Sequence, residues 1–578
     1  MSQKKTFGEK KPAISVKNKK ISFFAAILLV IGSSIGAGTF IKNKEVLLNT
    51  GNSIVLLIIS WVISIIAVVC MGISLIEVTS GAPADNGSFV SWNKTFNKRI
   101  VFKMSKNFVA YLYLPLSFFL MPLYAVMMFQ DAFGWQTSWW VAALIGFAFS
   151  MWFIILSGLS SKAGNIQNQI LSYLKFIPLL FAAIIGFVCV GMGCSQVGQE
   201  GYPSWLPDTW GQQSGRQLLG SMFPVLGLVS SIPAILFAYD GFYTAAGIQT
   251  EMQHPEKTGS AISIGLLFVS VANIIISISL CLCSKDGKLG SIVFNGIGDT
   301  GNKALHIVVG VMEIIVALGI LGILNSMALW APRFYEYLIK TDDLWVPAQY
   351  RTKLNDHCPK VGVVYTIIIS TLFFVVCIFV GAFGYLDVNQ YSTSELTTIT
   401  GDATLTGYDG DGTTRLAQLY SFTDLMGNWT SVFAFAFIIV AMIGGIINRK
   451  TNNVKVKQVK GFYPCSNIAV IIIGIGLLFV VVSSIANIPI VAGWQSQIGT
   501  GDYDYEHWRS DMIGVSLTLV LLFAYALITI IPSVVAVHNE KTPTRGTSKK
   551  ETKKPELAKS KPKSKYNKAN KFVYNYCY

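Results

Sequence analysis

The chain has 578 residues, of which 52% are hydrophobic and only 13% charged, with a formal charge of +15. A soluble globular protein carries nearly twice that charged fraction, so the composition excludes an ordinary soluble enzyme or binding domain and points to many membrane spans. The basic residues sit in tails and loops, where membrane topology accounts for them and nucleic acid is not needed as a partner.

Residues 1–20 are Lys-rich, lack apolar periodicity and read as a disordered basic tail. Windows of about 20 apolar residues then recur twelve times, near 21–41, 53–78, 108–130, 139–159, 167–191, 218–250, 259–283, 304–331, 361–383, 425–447, 465–488 and 512–537. No small-residue cleavage site follows the first window, so it is expected to be a retained span and not a signal peptide. Residues 538–578 form a second basic tail, read as a solvated topological anchor. With both termini on the cytoplasmic side of the plasma membrane, cytoplasmic segments hold 36 of the 45 Lys and Arg residues and outer loops hold 8.

The first span contains GSSIGAGTF, residues 32–40, with Gly32, Gly36 and Gly38 in one membrane-length run. Each glycine weakens a helix, and freed backbone groups are tolerated at that depth only when they face a cavity or protein. The over-long sixth window is interrupted near Phe237, Ala238, Tyr239, Asp240 and Gly241. Breaks five spans apart are the pattern of an inverted repeat of spans one to five on spans six to ten, and they are the best sequence pointer to a transporter site. Amides at a half-helix N-terminus attract a carboxylate, and carbonyls at a half-helix C-terminus attract an ammonium, so a site built from both suits a zwitterion. The plainer reading is that Gly32 and Gly36 only let helices pack closely.

Other features carry less. Cys70, Cys189, Cys281 and Cys377 lie in apolar runs without metal or redox spacing. Cys281 and Cys283 point to different helix faces; a bridge from Cys194 to one of them is open, with free buried thiols the simpler expectation. Residues 384–424 read as a polar outer loop. Its DGDG, Asp409 to Gly412, lacks the later ligands of a calcium loop, and no metal or cofactor is expected.

Four stretches in order resemble the amino acid-polyamine-organocation (APC) superfamily of permeases, in particular its cationic-amino-acid-transporter-like branch. They are IGSSIGAGTF; EVTSGAPADNGSFVSW at 77–92, with Asn86 where the family has a glycine; FAYDGFYTAAGIQTEMQHPEK at 237–257; and NSMALWAPRFYEYLIKTDDLWVP at 325–347, with Arg333 and Pro347 in register. The resemblance implies an all-α polytopic membrane protein of twelve transmembrane helices in a LeuT-like fold. Its 5+5 inverted repeat has broken helices 1 and 6, the halves falling at 21–191 and 218–447, and two extra C-terminal helices lie at 465–537. It also implies that Ser34 and the amides of Ile35, Gly36, Ala37 and Gly38 line the substrate carboxylate. The carbonyls of Phe237, Ala238 and Asp240 would take the amino group, with Tyr239 or Phe242 as a gating aromatic. The family often has Ser or Thr where Ala37 stands.

Lys175 lies about 14 Å into span five at helical rise, at a mid-membrane cost of about 2.5–3.5 kcal/mol. Proton-coupled family members have a lysine matching this position, where sodium-coupled relatives bind an ion between spans one, five and eight. The bland alternative is a side chain that snorkels to the inner interface. Asp240 departs from the family, which has an apolar residue there; it either pairs with a basic substrate group or caps the broken helix. Glu77 is expected to form a structural salt bridge, Glu313 to pair with His306 or line the outer vestibule, and Asn325 and Ser326 to bond across helices.

The expected function is a secondary amino acid permease, proton-coupled or exchanging, and not an enzyme, since no deep His, Asp or Cys cluster exists. No GxxxxGK[ST] run supplies a P-loop. The alternatives are a polyamine or other organocation carrier, and a non-transporting membrane sensor of amino acids; against the sensor, neither tail reads as a folded signalling domain.

Overall fold

The computed structural model describes residues 21–35, 37–83, 85–135, 137–199, 202–207, 218–247, 252–285, 287–292, 303–355, 358–384, 411–499 and 505–541. The N-terminal tail, the C-terminal tail beyond Lys541, and most of the loop at 384–424 fall outside them.

Span one is split into α1 (Phe23–Ser34) and α2 (Ala37–Asn49), and span two is α3 (Ile54–Gly81). Two short helices follow, α4 (Phe89–Phe96) and α5 (Arg99–Phe108); α5 runs through a π-helical turn at Val109–Tyr113 into α6 (Leu114–Phe133). Spans four and five are α7 (Trp139–Leu159) and α8 (Ser161–Gly191). Span six is made of short pieces, α9 (Pro224–Ser230), α10 (Ile232–Phe237) and α11 (Thr244–Gly247). Then come α12 (Thr258–Cys283), α13 (Lys303–Lys340), the one-turn α14 (Ala348–Arg351), α15 (Lys360–Phe379), α16 (Asp411–Thr451), α17 (Phe462–Gly493) and α18 (Tyr505–Lys541).

Among the described residues, ten helices are long and apolar enough to cross a membrane, the bent pair α1 and α2 makes an eleventh, and the apolar stretch Val225–Phe237 stands in the place of the sixth. The twelve windows therefore each find their helix. Serines mark several entries: Ser22, Ser53 and Ser160 accept the free amides of Ala25, Leu56 and Ala163.

Hydropathy misplaced three boundaries. Residues 99–107, read as loop, are helix continuous with span three, and residues 411–424, read as outer loop, are the first turns of α16. Lys42 and Lys44, counted as loop residues beyond position 41, lie inside α2, where Lys42 is 1% exposed. In each case charged residues lower the local hydropathy without ending the helix; Lys42 pairs with Asp424 and Lys103 with Asp343 inside the protein.

The packing follows the repeat. α3 lies on α12, α6 on α13 and α7 on α15, while α2 packs on α10 and α1 on α11. Spans one to four thus each contact the span five places later. Span three is the hub, with 94% of its most apolar stretch buried, against 22% for span twelve. Large apolar side chains such as Leu144, Leu180, Leu372 and Leu478 are exposed. On a soluble protein so much apolar surface would drive association; here hydrocarbon covers it.

At the end of α3, Glu77 accepts two hydrogen bonds of 2.6 Å from Arg449 of α16 and one of 2.8 Å from the Val459 amide. This is the structural salt bridge expected of Glu77. Asn325 and Ser326 also behave as expected, Asn325 donating to the Gly164 carbonyl at 2.9 Å and Ser326 to Asn168 at 3.0 Å.

Candidate functional site

The two breaks meet backbone to backbone. α1 ends at Ser34, Ile35 is extended (φ −79°, ψ 124°), and the chain restarts as α2 bent by 44°. A Cβ on Gly38 would stand 2.2 Å from the Ala238 Cα. Gly241 has φ +93°, and a Cβ there would stand 2.5 Å from the Ser33 carbonyl oxygen. Glycine is required at both crossings, at the first by contact and at the second by conformation as well. Ser34, Ile35 and Gly38 are brought to the break of span six; Gly36 falls outside the described residues.

Span six turns tightly. The Ala238, Tyr239 and Asp240 amides donate to the Ile235, Leu236 and Phe237 carbonyls at 3.0, 3.0 and 3.1 Å. The Phe237 carbonyl thus already accepts one hydrogen bond, while those of Ala238 and Asp240 accept none from another described residue. On the other wall, the first-turn amides of α2 have no partner within their own helix. The break of span one and the turn of span six thus stand against each other at one crossing point.

Asp240 is buried and richly supplied with donors. Its Oδ1 accepts the Gly241 amide at 2.8 Å, the Tyr113 hydroxyl at 3.3 Å and the Tyr243 hydroxyl, and its Oδ2 accepts Ser431 at 2.9 Å. All four donors are neutral, so in this conformation the carboxylate caps the break and ties spans three and ten to it. Tyr113 lies in the π-helical turn of span three, which carries one more residue per hydrogen-bonded ring than an α-helix. Tyr113, Tyr243 and Ser431 were not foreseen from the sequence, where isolated hydroxyls in apolar runs give no signal.

Tyr239 and Phe242 are both fully buried. The Tyr239 ring stands 6.4 Å from Trp61, its hydroxyl facing Ser270 and Asn273 without a hydrogen bond. Phe242 packs edge-on to Tyr243 and Phe435 at 5.0 and 5.9 Å.

Lys175 does not reach an interface. It is 4% exposed, and its ammonium donates to the Gly32 carbonyl. Its stem crosses α13 where a Cβ at Gly319 would lie 2.9 Å from Cγ and one at Gly322 would lie 3.3 Å from Cε. Gly32 is in the last turn of α1, so the lysine places a cation at a helix C-terminus, where carbonyls lack partners within the helix. Spans one, five and eight thus converge on this ammonium.

A second charged cluster was not expected. The Lys42 ammonium bonds Asp424 Oδ1 at 2.8 Å and Glu45 Oε2 at 3.2 Å, and sits 5.2 Å over the Phe237 ring. Tyr124 donates to the same Asp424 oxygen at 2.7 Å, and Asn428 to Glu45 at 2.8 Å. The group joins the far half of span one to spans three, six and ten, just beyond the crossing. Removing one partner of a buried pair leaves the other charge uncompensated, at about 3–5 kcal/mol. Asp424→Ala should therefore lower the melting temperature in detergent markedly, and the apolar pair Lys42→Met with Asp424→Leu should recover most of the loss.

Glu313 is buried, with Gly290 against its carboxylate: a Cβ there would lie 2.3 Å from Oε1. The side chain of its expected partner, His306, lies outside the described residues.

Crossed broken helices within a twelve-span bundle define a membrane transporter. The chain belongs to the amino acid permease family, whose model matches residues 21–501. It is 36% identical over 545 residues to an uncharacterized protein of Mycoplasma pneumoniae, covering 89% of this chain and 93% of that one. It is also 23% identical to the serine/threonine exchanger SteT of Bacillus subtilis over 54% of this chain and 67% of that one. A crystal structure of a manganese transporter of Eremococcus coleocola overlaps 92% of this chain and 100% of its own length, with a TM-score of 0.47 and 13% identity.

Proposed function

We propose that the protein is a secondary permease for free amino acids of the plasma membrane, working by alternating access around the crossing of spans one and six, with both termini cytoplasmic. The observation that carries this reading is the crossing itself. The α2 amides offer a carboxylate site, and the Ala238 and Asp240 carbonyls an ammonium site, on one pair of glycine-dependent contacts. A polyamine has no carboxylate to use the first set, which disfavours the organocation carrier. A sensor would use the same site without turnover, and transport measurement separates the two.

Lys175, poised between spans one, five and eight, is assigned the coupling role: its ammonium takes the place of a bound sodium ion and exchanges a proton during the cycle. The similarity to a serine/threonine exchanger supports obligatory exchange as the second mode of the same carrier. Asp240 sets the shape of the span-six turn, and its Oδ2, with one hydroxyl partner, keeps a lone pair for a substrate cation.

The test is reconstitution in liposomes with counterflow of each labelled amino acid. Exchange of at least one is expected, and no counterflow of any would refute the permease reading. Asp240→Asn should slow all substrates together if its role is the cap; loss confined to arginine and lysine would show instead that the carboxylate reads the substrate side chain.

A further inference from the structure

The segment between spans ten and eleven, residues 452–461, is a strap held at several points along its length. Asn448, in the last turn of α16, clasps Val454 from both sides: its Nδ2 donates to the Val454 carbonyl at 2.9 Å and its Oδ1 accepts the Val454 amide at 2.8 Å. Farther on, the Lys457 amide donates to Ser80 Oγ at 2.8 Å, the Val459 amide to Glu77 at 2.8 Å, and Arg449 to the Val459 carbonyl at 3.0 Å. Val454 and Val456 turn inward onto the end of span two. A Cβ on Gly81 would stand 3.2 Å from the first, 2.7 Å from the second and 2.8 Å from Phe96 of α4. Lys455, Lys457 and Lys460 turn outward and are exposed. Valine in and lysine out at successive residues is the alternation of an extended chain.

The charge that the strap presents is not balanced. Lys98, two residues past Phe96, and Lys450, at the end of α16, are exposed as well, and none of these five ammonium groups has an ion pair among the described residues. Residues 86–130 and 425–501, which include α4, α5, the strap and α17, contain no Asp or Glu. Glu77, beneath the strap, is taken by Arg449 at 2.6 Å. The strap also marks the edge of the hydrocarbon: Ile443 and Ile447 in the final turns of α16, and Tyr463 and Ile468 in the first turns of α17, are exposed apolar side chains. Lysines between two such rims stand at the depth of lipid phosphates, with a tyrosine at the interface beside them.

We propose that the strap is a docking surface for anionic phospholipid headgroups, which bind across Lys455, Lys457 and Lys460 and so hold the clasp that joins spans two, ten and eleven. Lys455 and Lys457 leave the same side of the strap about 7 Å apart, a gap that one phosphate closes with an ammonium contact of about 2.8 Å on each side. The docking needs neither the proposed substrate nor the proposed orientation.

The full-length protein is placed in nanodiscs of phosphatidylcholine with rising phosphatidylglycerol, both leaflets alike, and its melting temperature is followed by tryptophan fluorescence. The melting temperature should rise with the phosphatidylglycerol fraction and fall back at about 1 M salt, where charges are screened within about 3 Å. The triple variant Lys455→Gln, Lys457→Gln and Lys460→Gln should melt with the wild type in pure phosphatidylcholine and gain nothing from phosphatidylglycerol, since each lysine lost weakens headgroup contact about fivefold. The matching arginine triple should keep the gain. A glutamine triple that gains as much as the wild type, or that already melts lower in pure phosphatidylcholine, would overturn the site. So would an equal loss in the tail variant Lys549→Gln, Lys550→Gln and Lys553→Gln, which would assign the effect to diffuse charge. Equal stabilisation by free inorganic phosphate in phosphatidylcholine discs would overturn the membrane as the source of the ligand.

Discussion

Gly38→Ala is expected to abolish transport and to destabilise the protein. The added methyl would stand 2.2 Å from one backbone atom of span six and 2.9 Å from another, the Ala238 amide nitrogen, so no side-chain rotation relieves it. Forcing a methyl into a packed contact costs about 1–3 kcal/mol when neighbours can shift, and here the neighbour is the turn whose carbonyls we propose hold the substrate. Thermal melting and counterflow should fall together. The matched control is Gly474→Ala in α17, where a Cβ meets nothing within 4 Å; gaining helix propensity, it should be neutral or more stable by about 0.5–1 kcal/mol. Normal counterflow by Gly38→Ala would mean that the breaks do not touch in the working protein.

Lys175→Ala should separate drive from passage. Accumulation against a gradient under an imposed pH difference is expected to fall at least tenfold, while equilibrium counterflow survives, since no substrate contact is removed. The variant leaves the Gly32 carbonyl without its donor, at about 1–3 kcal/mol. Lys175→Arg distinguishes a structural cation from a proton carrier. A guanidinium still bonds the carbonyl but does not deprotonate in a protein, so it should restore stability without restoring pH-driven accumulation. Full recovery of both in the arginine variant would place proton exchange elsewhere.

The glycine breaks were readable because they violate a strong rule: polar backbone does not face hydrocarbon. GSSIGAGTF and FAYDGF each announce such a violation within one short stretch, and the structure brings the two against each other. The Lys42 cluster was not readable for the complementary reason. A hydropathy window treats Lys42 and Glu45 as the end of a span, and their neutralising partners, Asp424 and Asn428, lie in another span altogether. The donors around Asp240 were hidden likewise, since Tyr113 depends on a π-helical turn and Ser431 on span ten. Local departures from a rule can be seen in one dimension; compensation between distant residues becomes visible only when the chain is folded.

The Lys42 and Asp424 pair is separated by 382 positions, and that interval is also a time. At about 5–20 residues per second of synthesis, the ribosome delivers the aspartate roughly 20 to 80 s after the lysine. For that period the Lys42 ammonium has only the partly exposed Glu45 of its own helix as a carboxylate partner during membrane insertion. Translation stalled before span ten would therefore yield a nascent protein recognisable to quality-control proteases by a charge pair lacking its buried aspartate, however well its first nine helices had inserted.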